Sequence, residues 1–184
     1  MTVWHVLVLT LPVLVPGLTL IATLKLGWGA RLRVPLDAGR RWRGTPILGP
    51  HKTWWGLLLY VVGGALVAAV VALVSLVGPA GPAVLTGGRA PLVGASIGAA
   101  YSLGEALNSL VKRRRGIAAG TTTASRWAPL QRALDLADGI VLAGATYLAW
   151  GVPTAQALAV VVAGLAIHVA TDALMRALSL KRQQ

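Results

Sequence analysis

The stretch Gly56-Leu57-Leu58-Leu59-Tyr60-Val61-Val62-Gly63-Gly64-Ala65-Leu66-Val67-Ala68-Ala69-Val70-Val71-Ala72-Leu73-Val74-Ser75-Leu76-Val77 contains no charged side chain. A helix needs about 20 such residues to cross roughly 30 Å of hydrocarbon, and in lipid the backbone must satisfy its own hydrogen bonds. This stretch therefore reads as a transmembrane helix. Working outward, 3–24, 91–111, 133–151 and 154–175 are long and apolar enough to do the same. The first of them lacks a basic segment ahead of it and contains Pro12 and Pro16, so it reads as a kinked span and not as a cleaved leader. The expected fold is an all-α integral membrane protein of five transmembrane helices, with residues 1–184 forming one membrane-embedded domain.

Composition agrees. Of 184 residues, 56% are apolar and 12% are charged, where a soluble domain carries about 25% charge, which excludes a solvated globular, disordered or fibrous chain. The absence of cysteine removes disulfides, thiolate zinc sites and cysteine nucleophiles from consideration. Seventeen basic residues against five acids would suggest nucleic acid in a soluble protein. In a membrane chain they point to loops that face anions, and no nucleic-acid partner is expected.

The basic residues fix an orientation, because Lys and Arg accumulate in short cytoplasmic loops. Segment 25–55 holds seven of them, 112–132 six and the C-terminal tail three, whereas 78–90 holds only Arg89. The N-terminus is expected outside, with 25–55 and 112–132 as two cytoplasmic loops forming a polar site. The glycines and prolines of 78–82 and of 151–153 punctuate the outer connections and carry no chemistry.

An acid inside a span costs several kcal/mol unless it is paired, hydrated or metal-bound, so the positions of the acids are informative. Asp37 lies in the first loop. Glu105 stands two turns before Lys112, and Asp135 and Asp138 lie one turn apart on one face of the fourth span. Two readings stay open. Asp135, Asp138 and Glu105 can offer hard oxygen ligands to a divalent cation, and a basic cluster around such acids suits a magnesium–polyphosphate ligand. Alternatively the aspartates pair with Arg132 or with the Arg113–Arg115 run. Asp172 shares a helical stripe with His168 and Arg176, which suggests an ion pair with Arg176. His5 reads as interfacial, and His51 as a loop residue within reach of phosphate.

The first loop is too patterned for a linker. It has glycines at 39, 44, 49 and 56, and Lys52-Thr53 at the mouth of a helix offers an ammonium, a hydroxyl and free N–H groups to phosphate. Its spacing is not that of a Walker A loop, and Trp42, Trp54 and Trp55 fit an interfacial aromatic belt. In the second region Glu105, Asn108 and Ser109 run at helical spacings into Lys112-Arg113-Arg114-Arg115.

These motifs, Asp37-x-Gly39, Lys52-Thr53-Trp54-x-Gly56, Asn108-Ser109-x-x-Lys112-Arg113-Arg114 and Asp135-x-x-Asp138, resemble those of the archaeal CDP-archaeol synthases, relatives of the CDP-diacylglycerol synthases. The resemblance covers 35–56 and 104–139. Departures are Leu136 where the family often has Gln, Glu105 where related synthases tend to have Asp, and no His-Gly-Gly element between 116 and 135. The resemblance implies a CTP-dependent cytidylyltransferase acting on a prenylated glycerol phosphate. It implies Mg²⁺ held by Asp135 and Asp138, with Glu105 as a further ligand or a partner of the ligands. Lys52, Lys112, Arg113 and Arg114 would hold phosphates, and Asp37, Gly39, Thr53, Asn108 and Ser109 would contact substrate. An anion transporter with a basic cytoplasmic funnel is the rival, and it expects polar residues along the whole membrane depth.

Overall fold

The computed structural model describes residues 2–119, 121 and 126–177, with side chains through 173. It is all-helical apart from one small hairpin. Five helices follow in order: α1 (Val3–Leu26), α2 (Trp54–Val74), α3 (Ala90–Arg114), α4 (Ala128–Ala149) and α5 (Thr154–Ala177). The hairpin pairs β1 (Arg41–Trp42) with β2 (Thr45–Pro46) through Arg43 and Gly44. Both turn residues have positive φ, at 51° and 79°, as a two-residue type I′ turn demands. Among the described residues α1, α2 and the 154–173 part of α5 are long and apolar enough to cross a membrane.

The ends of the elements differ from the sequence expectation in an informative way. The region expected as the loop 112–132 is helical at both ends: Lys112, Arg113 and Arg114 form the last turn of α3, and α4 starts at Ala128 with Pro129 in its first turn. Cations are favourable where helix carbonyls point outward, and proline is tolerated where its missing N–H would be unpaired anyway. Apolar length alone locates neither boundary. The α2 helix similarly begins at Trp54, capped by the Thr53 hydroxyl, which accepts from Gly56 N at 3.2 Å.

The α3 helix is the centre of the bundle and packs on α1, α2 and α4, with α5 completing the layer against α1 and α4. It approaches its neighbours to backbone contact. A Cβ on Gly98 would strike the Tyr60 carbonyl of α2, and one on Gly104 would strike the Asp138 carbonyl of α4. Such small-residue contacts are how helices pack where lipid removes the hydrophobic drive to associate. The driest core lies toward the α1 N-terminus, where Leu9, Leu85, Val93, Ile97 and Tyr147 are fully buried. There the Tyr147 hydroxyl donates to Leu9 O at 2.6 Å, and Trp150 Nε1 donates to Ser96 Oγ at 2.8 Å. Connectivity brings the α1, α3 and α5 C-termini and the α2 and α4 N-termini to the opposite end, together with segment 27–53.

Candidate functional site

At that opposite end the chain first builds a scaffold. Segment 34–36 pairs with 52–54 through Leu36 N to Lys52 O at 2.8 Å and Trp54 N to Val34 O at 3.0 Å. Between those rungs Asp37 is buried, and it accepts from Gly39 N at 3.0 Å, Leu48 N at 2.8 Å and Gly49 N at 3.1 Å. Burial pushes the Asp37 carboxyl up, but these N–H groups outweigh it and hold the group below its ordinary value. Arg114 clamps the hairpin to α3 by donating to Trp42 O and Thr45 Oγ1 at 3.2 Å, with its guanidinium 5.2 Å over the Trp42 ring. Arg113 is buried and donates to Ile117 O. Ser109 is buried as well.

The expected substrate contacts therefore divide. Asp37, Gly39, Ser109, Arg113 and Arg114 shape the loop and its seat on α3, because their polar groups are spent on backbone or lie buried. Thr53 caps α2. A second set converges. Glu105, Asn108 and Lys112 stand at i, i+3 and i+7 on α3 and share one face. Asn108 Nδ2 donates to Asp135 Oδ1 and to Asp138 Oδ2, both at 2.7 Å. Lys112 Nζ lies 2.9 Å from Asp135 Oδ1, and Gly139 N donates to Asp138 Oδ1 at 2.6 Å. One turn back Glu105 Oε2 meets Lys52 Nζ at 2.6 Å, across 53 residues of sequence.

Of the two open readings, the pairing of the aspartates with basic residues takes a different form. The aspartates pair with Lys112 and Asn108, whereas Arg132 faces Asp172 at 3.9 Å. Asp172 was expected to pair with Arg176, whose side chain lies outside the described residues. His168 Nδ1 instead ties α5 to α4 at Leu136 O, 3.0 Å away. Nor do the three acids form one ligand set: among the described residues no three or more His, Cys, Asp or Glu side chains are grouped to hold a metal, and Glu105 is engaged by Lys52. What remains is the Asp135–Asp138 pair. Both carboxylates reach one amide, so they converge on a common point. Two carboxylates completed by substrate phosphates are what Mg²⁺ ordinarily takes from a protein, and this donor set fits it.

An apolar cavity of about 260 Å³ adjoins the cluster, running from Glu105 to Leu9 and Tyr147 between α1, α4 and α5. Its floor is the stacked pair Tyr60 and Tyr101, with ring centroids 4.5 Å apart. Neither tyrosine belongs to the motifs that mark the site in the sequence. Their depth within charge-free stretches was the available signal, since a buried phenol needs a polar neighbour.

Comparison with known proteins adds one relative. Over 110 residues the chain is 37% identical to the CDP-archaeol synthase of Hyperthermus butylicus. The match takes in 59% of this chain and 56% of that protein, so the chain spans about half the length of the curated relative it matches. No family model matches the chain, and no solved structure does. Over that stretch the chain is similar to a CDP-archaeol synthase.

Proposed function

We propose that this chain is a membrane cytidylyltransferase of ether-lipid synthesis. It transfers CMP from CTP to 2,3-bis-O-geranylgeranylglyceryl phosphate, yielding CDP-archaeol and pyrophosphate. The observation that carries the reading is the Lys112–Asp135–Asn108–Asp138 cluster, one helical turn from the Glu105 that lines an apolar cavity, in a chain similar to a CDP-archaeol synthase. An oxygen of the lipid phosphate attacks the α-phosphorus of CTP, the bond to the bridging β-oxygen breaks, and pyrophosphate leaves with the electron pair. The attacking group is already an anion, so the site needs no strong base. Catalysis is positioning and neutralisation of charge.

Lys112 stands where it can take phosphate oxygens beside the aspartates, and Lys52 is held by Glu105, which lines the apolar cavity. Asp135 and Asp138 are the residues that would hold Mg²⁺. When bound, that ion would neutralise phosphate oxygens and favour departure of pyrophosphate. In this reading all five helices cross the bilayer, the N-terminus is outside and the polar end faces the cytoplasm. A single cysteine at Gly88 should then label only from outside, and labelling from the cytoplasm would reverse the orientation.

The purified protein should move label from CTP into an organic-extractable product only with Mg²⁺ and a prenylated or acylated glycerol phosphate, with release of pyrophosphate. ATP and GTP should be poor donors. Intact CTP together with anion flux in proteoliposomes would replace this reading with a transporter.

A further inference from the structure

A second cavity, of about 310 Å³, lies under the first loop and is lined by Arg33, His51, Lys52, Thr53, Ser102 and Glu105 among others. It meets the apolar cavity at shared walls: Leu20, Leu24, Tyr60 and Glu105 line both. Two buried polar atoms of its lining residues, Arg33 Nε and Ser102 Oγ, have no hydrogen-bond partner. A buried donor left unpaired is costly, and both of these belong to residues that line this cavity.

Arg33 is held rigidly. Its Nη2 donates to Thr23 O and to Trp28 O, both at 2.7 Å, so the guanidinium is locked onto the C-terminus of α1 while its Nε has no partner. Lys52 is fixed by Glu105 through one contact, which leaves further N–H donors on the same ammonium. Ser102 precedes Glu105 by three residues and shares its face of α3. The cavity thus collects a guanidinium, an ammonium and a hydroxyl, set against one carboxylate that Lys52 already pairs with.

We propose that this cavity is the receptor for the phosphomonoester head of a long-chain lipid. Arg33, Lys52 and Ser102 hold the phosphate, and the chains run past Tyr60 into the apolar cavity. Resting on the transferase reading above, this separates the two substrates: the lipid phosphate lies on the Arg33 side of Glu105, and the nucleotide on the Asn108–Asp135–Asp138 side. The unpaired Nε–H of a guanidinium meets a phosphate oxygen through a charge-assisted bond. The shared apolar wall favours a lipid phosphate over free phosphate or a nucleotide, because only the lipid fills both cavities at once.

The test uses full-length protein in nanodiscs and the variants Arg33→Lys and Ser102→Ala. With dioleoyl phosphatidate varied at saturating CTP, KM for the lipid should rise at least about tenfold in Arg33→Lys and about threefold in Ser102→Ala. KM for CTP should stay within about twofold of the parent. A rise in both constants together, or in CTP alone, overturns the assignment. Arg33 also caps α1, so Ser102→Ala, which breaks no existing hydrogen bond, decides the matter if Arg33→Lys does not fold.

Binding without CTP is the second readout, followed by tryptophan emission. Phosphatidate should give a saturable change that dioleoylglycerol does not, and inorganic phosphate should match it only at far higher concentration. An equal response to inorganic phosphate overturns the lipid source in favour of a free-phosphate site. Arg33-dependent lipid binding without CMP transfer keeps this receptor and removes the transferase. CMP transfer with an unchanged lipid KM in both variants does the reverse.

Discussion

The two ends of this helix bundle are made from the same glycine-rich apolar helices, yet they bury different things. Toward the α1 N-terminus the interior is Leu9, Leu85, Val93, Ile97 and Tyr147, tied by two neutral hydrogen bonds. The connection there, 78–90, carries one cation and no acid. Toward the α1 C-terminus the same helices hold Asn108, Lys112, Asp135 and Asp138 in one hydrogen-bonded cluster, with Glu105 one turn back paired to Lys52 of the loop. Neutral side chains pack without further help, whereas each buried charge needs a partner in place. The first end can therefore supply stability alone, and the second spends packing on holding charge where a ligand can meet it.

Removing the carboxylates is the severest way to break that contrast. Asp138→Asn keeps the volume and a hydrogen-bonding group but removes the charge, and CMP transfer should fall by a factor of the order of 10² to 10³. The protein should still elute as a folded species in detergent, because the core at the other end is untouched. Excess EDTA should have the same effect reversibly. Full turnover in chelator would remove the metal from the reading.

Glycine tests the geometry. At Gly104 even an alanine methyl meets the Asp138 backbone, so Gly104→Ala should separate α3 from α4 directly beneath the cluster and cost about 1–3 kcal/mol, with loss of activity. Gly88, at the other end, has open space around its missing Cβ, and Gly88→Ala should change neither melting nor turnover. Thermal melting of the two variants in one detergent compares them. Equal melting temperatures would mean that the α3–α4 approach is not holding the site.

Much of this contrast was legible in the sequence, and the rest was hidden for identifiable reasons. Long apolar runs marked five helices and the basic bias marked the polar end, because a helix that meets lipid must be apolar over its length. Glu105, Asn108 and Lys112 were legible as one helical face, since i, i+3 and i+7 spacing is local. The pairing of Lys52 with Glu105 spans 53 residues and depends on how 34–36 zips to 52–54. Asp37 looked like a substrate contact because its three N–H donors exist only once the loop closes. Arg33 was counted as an orientation signal, and its locked guanidinium appears only when α1 has a defined end. Apolar length misplaced the start of α4, because Gln131 and Arg132 are helical without being lipid-compatible.

Smaller effects sharpen the same comparison. Lys112→Ala removes the cation beside Asp135, and if that cation also holds triphosphate, kcat/KM for CTP should drop at least about tenfold, equivalent to about 1.4 kcal/mol. Arg89→Ala, the matching deletion at the other end, should leave steady-state kinetics unchanged once the protein is inserted. Equal behaviour of the two variants would reduce Lys112 to an orientation signal.

The smallest effect is a pH dependence confined to one end. Asp37 sits below the ordinary carboxylate value of 3.8 because three backbone N–H groups favour its ionised form more than burial disfavours it. A group whose folded value is depressed contributes its stability above the unfolded value and loses it as pH falls through the folded one. The amides of Leu48 and Gly49 should therefore exchange hydrogen slowly and evenly from about pH 8 to about pH 5, after correction for intrinsic rates. Their protection should fall below about pH 4, as the carboxyl gains a proton and gives up acceptor capacity. Segment 78–90 has no acid and should show no such step. In Asp37→Asn both amides should already be less protected at neutral pH, with the acid step gone. Unchanged protection of Leu48 and Gly49 at pH 3 would show that the loop keeps its shape without this carboxylate, and would free Asp37 for the substrate contact that its motif first suggested.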